Sequence, residues 1–281
     1  MKKILLRLSP ALIPFILFFV GGIVITFFQS VGLFTPLGSG EISLAAYHKI
    51  LAESHFLKSI IFSFNISLVS ATISIIFGCI LAYKIWMLPD KLRNLSFIYK
   101  IPVILPHIAV AFITIILFSK TGIVSSIAFK LGLISDINEF PNIIYSSNGF
   151  GEIIAYIFKE TSFVILMLIS VLMKIDKRYI QTARLLGASE FRTFWKVILP
   201  QLKSIITTTF LILFIYSFGA FEIPYLLGSS TPGMLSIQVF DYYFRHDLVE
   251  RPVAMALLVI MFIFSGLFSS FYFYFANRAK K

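Results

Sequence analysis

Charge is scarce in this chain. Asp, Glu, Lys and Arg make up 13% of its 281 residues, where a soluble globular chain carries about 25%. Acid is scarcer than base, 13 Asp and Glu against 24 Lys and Arg, for a net charge of +11. That surplus is not a nucleic-acid footprint, because the cations lie at the ends of apolar runs, and no nucleic-acid partner is expected. Cysteine is nearly absent. The single Cys79 excludes an internal disulfide and any cysteine-built metal site. It lies inside an apolar run and reads as a small residue facing lipid or protein. No Gly-Lys dipeptide occurs, which excludes a Walker-type phosphate loop. The H-E-x-x-H and G-x-S-x-G motifs are missing too, as is any paired-acid motif with a supporting histidine. His48 and His55 stand seven apart and share a helix face, but a metal site needs closer spacing and more ligands.

What the chain has instead is apolar length. Apolar residues are 58% of the total, and Phe alone contributes 32. About 20 apolar residues cross a bilayer as a helix, and six runs qualify: 8–29, 59–83, 101–119, 152–173, 204–227 and 252–276. The first follows a basic start, as a signal peptide would. It is too long for one and has no clear cleavage site, so it reads as an uncleaved span. The second is rich in Ser and Thr and holds Gly78, small residues that let membrane helices approach closely. The third begins with Pro102 and Pro106, which bend it where neighbours satisfy the freed carbonyls. His107 beside them reads as a buried hydrogen-bonding residue. The fifth is interrupted near its outer end by FGAFEIPYLLG, Phe218 to Gly228. Outside the spans, Tyr47 to Lys58 and Ile123 to Leu131 read as short helices. Met234, Ile237, Phe240 and Tyr243 or Phe244 mark one face of another.

Orientation follows from the basic residues. With both termini inside, the internal segments carry three, four, seven and three Lys or Arg, and each of the three external segments carries two. Cytoplasmic loops hold the excess of Lys and Arg, so both termini are expected in the cytoplasm. The expectation is an all-α integral membrane protein of six transmembrane helices in one transmembrane domain over 1–281, embedded in lipid and without a soluble domain.

The seven cations of the largest internal segment, 174–203, face two acids, Asp176 and Glu190. Its pattern is helix, break, helix. Arg178 to Leu186 predicts a first helix with Ile180, Ala183 and Leu186 on one apolar stripe. Gly187 supplies the positive φ of a helix stop. Ser189 caps a second helix with Glu190 in its first turn. The apolar stripe of that helix is Phe191, Phe194 or Trp195, and Ile198. Pro200 marks the approach to the next span.

Within this segment QTARLLGASEFRTFWKVILP resembles the EAA loop of bacterial ABC importer permeases, the membrane subunits of binding-protein-dependent uptake systems. That pattern is Glu-Ala-Ala, three residues, Gly, nine residues, Ile, any residue, Leu-Pro. Ala183, Gly187, Leu199 and Pro200 match at the right spacing, and Val197 stands for Ile. Gln181 and Thr182 replace Glu and Ala, so the signature acid is missing. LAYKIW, IIAYIFKETSF (Ile153 to Phe163) and FGAFEIPYLLG look like permeases of the polyamine, iron, thiamine and oxyanion group, closest to the spermidine/putrescine permeases. The resemblance covers about Tyr47 to the end. It implies the type I importer fold in a bacterial inner membrane and a second permease subunit, like or unlike. A solute-binding protein outside and a dimer of cytoplasmic ATPase subunits complete the implied assembly. ATP would be bound and hydrolysed by that partner, and this chain would need no cofactor. The implied docking residues are Gln181, Ala183, Arg184, Gly187, Ala188, Phe191, Leu199 and Pro200.

Ionisable residues inside a membrane mark function or a structural pair. Lys159, Glu160 and Glu222 lie inside spans, and Tyr225 follows Glu222 in the interrupted segment. Two readings stand for them. In one, Lys159 and Glu222 form a structural bridge. In the other, Glu222 or Glu160 lines the solute path and favours a cation such as a polyamine. The rival to the permease is an ion-coupled secondary transporter that uses the same three residues. That rival does not need the helix-Gly-helix loop, and no motif supports a membrane-embedded transferase.

Overall fold

The computed structural model describes the backbone of residues 2–35, 40–89, 94–229 and 231–278. The expected turn at Pro89-Asp90 lies partly outside these residues, and Lys91, Arg93, Lys280 and Lys281 lie wholly outside them. Among the described residues the regular elements are all helical. Six stretches are long and apolar enough to span a membrane: Leu12–Ser30, Ser54–Met87, His107–Lys130, Phe150–Leu172, Glu190–Gly219 and Leu248–Ala276. The chain divides into two compact units, Met1–Ile60 with Met234–Ser270, and Ile61–Gly233 with Phe271–Lys281.

The first unit opens with α1, which runs from Lys2–Pro14 through a π-helical stretch, Phe15–Val20, into Gly21–Ser30. Its apolar side chains are largely exposed, as suits a helix solvated by lipid. The short helix α2 (Ala45–Ala52) follows, then the start of α3 (Ser54–Met87). Later in the chain α12 (Leu235–Phe240) and a π turn, Asp241–Arg245, lead into α13 (Arg251–Arg278). Polar side chains tie these pieces together. Gln238 donates to Ser59 Oγ at 2.7 Å, Lys49 pairs with Glu250 at 2.5 Å, and the Tyr242 hydroxyl donates to Glu53. Burial first, and Glu53 second, push the Tyr242 hydroxyl above its ordinary pKa, so it stays a neutral donor at physiological pH.

The second unit holds the rest of α3, then α4 (Ile101–Ile104), α5 (His107–Phe118), α6 (Ile123–Lys130) and α7 (Phe150–Leu172). After α7 come α8 (Arg178–Leu185), α9 (Glu190–Thr193), α10 (Leu199–Gly219) and α11 (Glu222–Leu227). Close approach of α3 and α7 rests on small residues. Ser63, Ser67, Ser70 and Ser74 of α3 are fully buried. A Cβ on Gly78 would stand 2.4 Å from Val164 Cγ1, and one on Gly149 would stand 2.6 Å from Ile66 Cδ1. On the other side of the unit Phe210, Phe214 and Phe218 of α10 stack one above the next, and Phe64 meets Phe214 at 5.6 Å.

The expected third span, 101–119, is not one helix. Leu105 is extended at ψ 134° and Pro106 at ψ 148°, which separates α4 from α5. Residues before proline avoid the helical region. At 12 residues α5 is about 18 Å long, too short to cross alone. The third spanning stretch therefore joins α5 to α6 across residues 119–122. The expected fifth span, 204–227, also divides: α10 ends at Gly219, Ala220 is extended, and α11 resumes at Glu222.

Candidate functional site

Two places in the second unit gather the residues that the sequence singles out. The first is the loop from 174 to 203. Asp176 opens it by accepting the backbone N–H of Arg178 at 2.9 Å and pairing with that residue's guanidinium at 2.9 Å. These contacts, the backbone one first, hold its carboxyl below the ordinary carboxylate range. Helix α8 ends at a Schellman motif: Ala188 N–H donates to Ala183 O and Gly187 N–H to Arg184 O, both at 3.0 Å, with Gly187 at φ 79°. Ser189 Oγ then accepts the N–H of Arg192 at 3.3 Å and caps α9. Helix α9 continues through a π-helical stretch, Phe194–Ile198, into α10. Pro200 lies in the first turn of α10, where it has no N–H to give back to Lys196, and the widened turn absorbs that loss.

The outward face of this loop differs from the expected stripes. Ile180 and Ala183 are buried, but Leu186 is 82% exposed and Leu185 87%. The helix ends at Leu185, so Leu186 leaves the stripe as the chain turns toward Gly187. In the second helix Ile198 is buried and Phe194 packs on Tyr83 at 4.9 Å. Phe191 and Trp195 turn outward, with their rings 5.9 Å apart, and the buried Thr193 takes the inner position instead. Of the residues expected to dock a partner, Gln181, Arg184, Gly187, Phe191 and Pro200 are exposed. Ala188 and Leu199 are half-buried, and Ala183 faces inward. Leu185 and the aromatic Tyr179 belong to the exposed set although sequence periodicity did not mark them. The loop is tied back to α3 by a 2.6 Å ion pair between Lys84 and Glu190.

The second place is a cavity of about 170 Å³ bordered by His107 of α5, by Tyr156, Lys159 and Glu160 of α7, and by Tyr216 of α10. Glu160 lies ten residues into α7, about 15 Å from its start and so near the midpoint of that 23-residue span. Its Oε2 accepts from Ser74 of α3 at 3.0 Å. Its Oε1 and the Tyr156 hydroxyl are buried and make no hydrogen bond among the described residues. The His107 and Tyr216 rings lie 5.1 Å apart on the facing wall. Glu152, about two turns further toward the outer end of α7, is fully buried, and no described side chain partners either of its oxygens. The i, i+4, i+8 spacing of Glu152, Tyr156 and Glu160 is the signal that would have found this polar column.

The cavity brings Lys159 and Glu160 together but not Glu222 or Tyr225. Tyr225 is 45% exposed with its ring stacked on Phe221 at 4.9 Å. Glu222 opens α11, close enough for its charge to act on His107 and Lys159. The Lys159–Glu222 bridge does not form among the described residues. Lys159 Nζ instead donates to Leu105 O and, at 3.5 Å, to Pro102 O. Backbone carbonyls stranded by the proline lie closer to the ammonium than the carboxylate does.

Comparison with known proteins agrees with this architecture. The chain is 25% identical over 227 residues to the glucose import system permease protein GlcT of Saccharolobus solfataricus, covering 78% of each chain. It is 26% identical over 259 residues to the trehalose transport system permease protein SugA of Mycobacterium tuberculosis, covering 86% of this chain and 80% of that one. It is 27% identical over 212 residues to a probable sulfate transport system permease protein of Prototheca wickerhamii, covering 72% and 79%. Among solved structures, a bacterial ABC transporter involved in the import of the acidic polysaccharide alginate superposes with a TM-score of 0.82. That match covers 100% of this chain and 96% of that chain at 18% identity, and it bears on the fold alone. The model of the family described as "Binding-protein-dependent transport system inner membrane component" matches residues 74–281. The chain therefore belongs to that family, as a multi-pass inner-membrane permease subunit of an ABC importer in which ATP is hydrolysed by a separate chain.

Proposed function

We propose that the cavity between α5, α7 and α10 is the station at which the imported solute rests halfway across the membrane. The observation that carries this reading is the pair of buried, unpartnered polar atoms, Tyr156 Oη and Glu160 Oε1, that border one cavity at mid-membrane depth. A polar atom buried without a partner costs about 1–3 kcal/mol. A solute that supplies the missing donor or acceptor recovers that cost only while it is bound, which suits a site of passage.

The lining argues for the class of solute. Beside His107, Lys159, Glu160 and the two tyrosines the wall is apolar, with Val103, Phe163, Ile212 and Leu213, and its few polar groups carry little net charge. A neutral solute of about the size of one sugar ring, with C–H faces to pack on aromatic rings, fits this better than a dication, which an apolar wall does not solvate. The glucose and trehalose permeases among the relatives support the same class. The polyamine reading keeps one observation in its favour, the carboxylates of Glu160 and Glu222, neither of them ion-paired among the described residues. The partners proposed are a second permease subunit, an extracytoplasmic binding protein, and an ATPase dimer seated on Leu185, Leu186, Gln181, Arg184 and Phe191. ATP is bound and hydrolysed on that dimer. The complex purified through a tag on this chain tests both parts. It should retain an ATPase subunit, and in proteoliposomes it should take up labelled glucose or trehalose, with Tyr156→Phe raising KM about five- to tenfold. Uptake of spermidine in place of sugar would establish the polyamine reading. Solute uptake driven by an ion gradient, with no ATPase retained, would return the secondary transporter.

A further inference from the structure

The break between α4 and α5 leaves the carbonyls of Pro102, Val103, Ile104 and Leu105 without backbone donors among the described residues, and a side chain meets two of them. In an unbroken helix Pro102 O would accept from the N–H four residues on, and that residue is Pro106, which has none. Leu105 lies outside both helices, and the first bond of α5 runs from Val110 N–H to Pro106 O at 3.1 Å. No backbone N–H among the described residues reaches Pro102 O or Leu105 O. Both accept instead from the ammonium of Lys159, which reaches across from α7. A lysine ammonium has three donors and no acceptor, so two of the three are used on this turn. His107, the first residue of α5, follows the turn directly, and its ring packs on Tyr216 at the cavity wall.

We propose that Lys159 is a positioning residue: its ammonium substitutes for the backbone donor that Pro106 removes, clips the α4–α5 turn to α7, and so fixes where His107 stands at the cavity. Lys159 then affects solute through the wall it holds rather than by meeting solute charge. The interaction is non-local, since the partners stand 54 and 57 residues apart, and no pattern in the chain announces it. The KM readout rests on the cavity reading, which Tyr156→Phe checks by itself, and the assembly readout reads the clip alone.

The decisive experiment pairs Lys159→Met with Pro106→Ala in the assembled complex. Alanine in place of Pro106 returns an N–H to Pro102 O and lets the helix run through, so both carbonyls regain helical donors. The expected result is a KM rise of about tenfold from Lys159→Met when Pro106 is kept, and about twofold or less in the Pro106→Ala background, with Lys159→Arg within about threefold of the parent. Maximal uptake per assembled complex should change by less than about twofold. Equal KM rises in both backgrounds would overturn the proposal and make Lys159 a direct solute contact. An unchanged KM in Lys159→Met would overturn it as well. If Lys159→Met does not assemble, assembly becomes the readout: recovery in the double variant supports the clip, and failure in both backgrounds rejects it. Tyr156→Phe leaves the clip intact and reads the cavity separately, so an unchanged KM there counts against the solute station and not against the clip.

Discussion

Leu186 shows what one exposed side chain contributes in a protein whose apolar surface otherwise belongs to lipid. It projects from the end of α8, 82% exposed, in the basic loop that the distribution of Lys and Arg is expected to keep outside the bilayer. Full burial of a leucine is worth about 1.5–3 kcal/mol, so Leu186→Ala should weaken retention of the ATPase by about tenfold, read by titrating the purified subunit onto the permease. Gly187 acts on the same face by conformation. Nothing lies within 4 Å of the Cβ position there, so the constraint is the φ of 79° and not space. Gly187→Asn, which tolerates this region, should keep the ATPase, and Gly187→Val should lose it at normal membrane abundance. Retention by both variants would mean that the reversal does not orient the docking face.

At the scale of elements the determinant is how closely α3 and α7 approach. Gly78 faces Val164 with no room for a methyl group. Gly78→Ala should therefore cost about 1–3 kcal/mol, seen as a lower melting temperature of the detergent-solubilised protein, and Gly78→Ala with Val164→Ala should recover most of it. An unchanged melting temperature in the single variant would show that the helices part freely at this point. Gly78 was legible in the sequence because a small residue in an apolar run has few other uses. So were the apolar runs, the helix-Gly-helix loop and a bend near Pro106, since each rests on local composition or on a residue with fixed backbone demands; that the bend is a full break dividing the expected span 101–119 was not. The exposure of Leu186 and Trp195 was not legible, while that of Phe191 came only from the family resemblance and not from periodicity. Periodicity ranks the faces of a helix by hydrophobicity, and in this loop the apolar face is divided between the fold and the exterior. The partner of Lys159 was hidden for a different reason: its acceptors are carbonyls, which every residue carries, so side-chain chemistry pointed to Glu222.

For the whole molecule the question is how closure of an ATPase docked on the loop, as proposed, would reach the membrane. The described contacts from the loop to α3 include the Tyr83–Phe194 ring contact and the Lys84–Glu190 ion pair. The ring contact is half-buried and indifferent to salt, whereas the ion pair is exposed, and exposed pairs are screened over a Debye length of about 8 Å at physiological ionic strength. With the Lys177 ammonium over the Trp86 ring of α3 at 5.7 Å as a further contact, the linkage behaves as a clutch with an aromatic friction plate and an electrostatic one. Raising cytoplasmic-side salt from low to about 0.5 M loosens only the second. The number of solute molecules moved per ATP should then fall while ATP turnover persists, and a charge-reversed pair, Lys84→Glu with Glu190→Lys, should slip at the same salt. On this expectation the gear ratio of the importer, and not its idling rate, is set where α3 meets the loop.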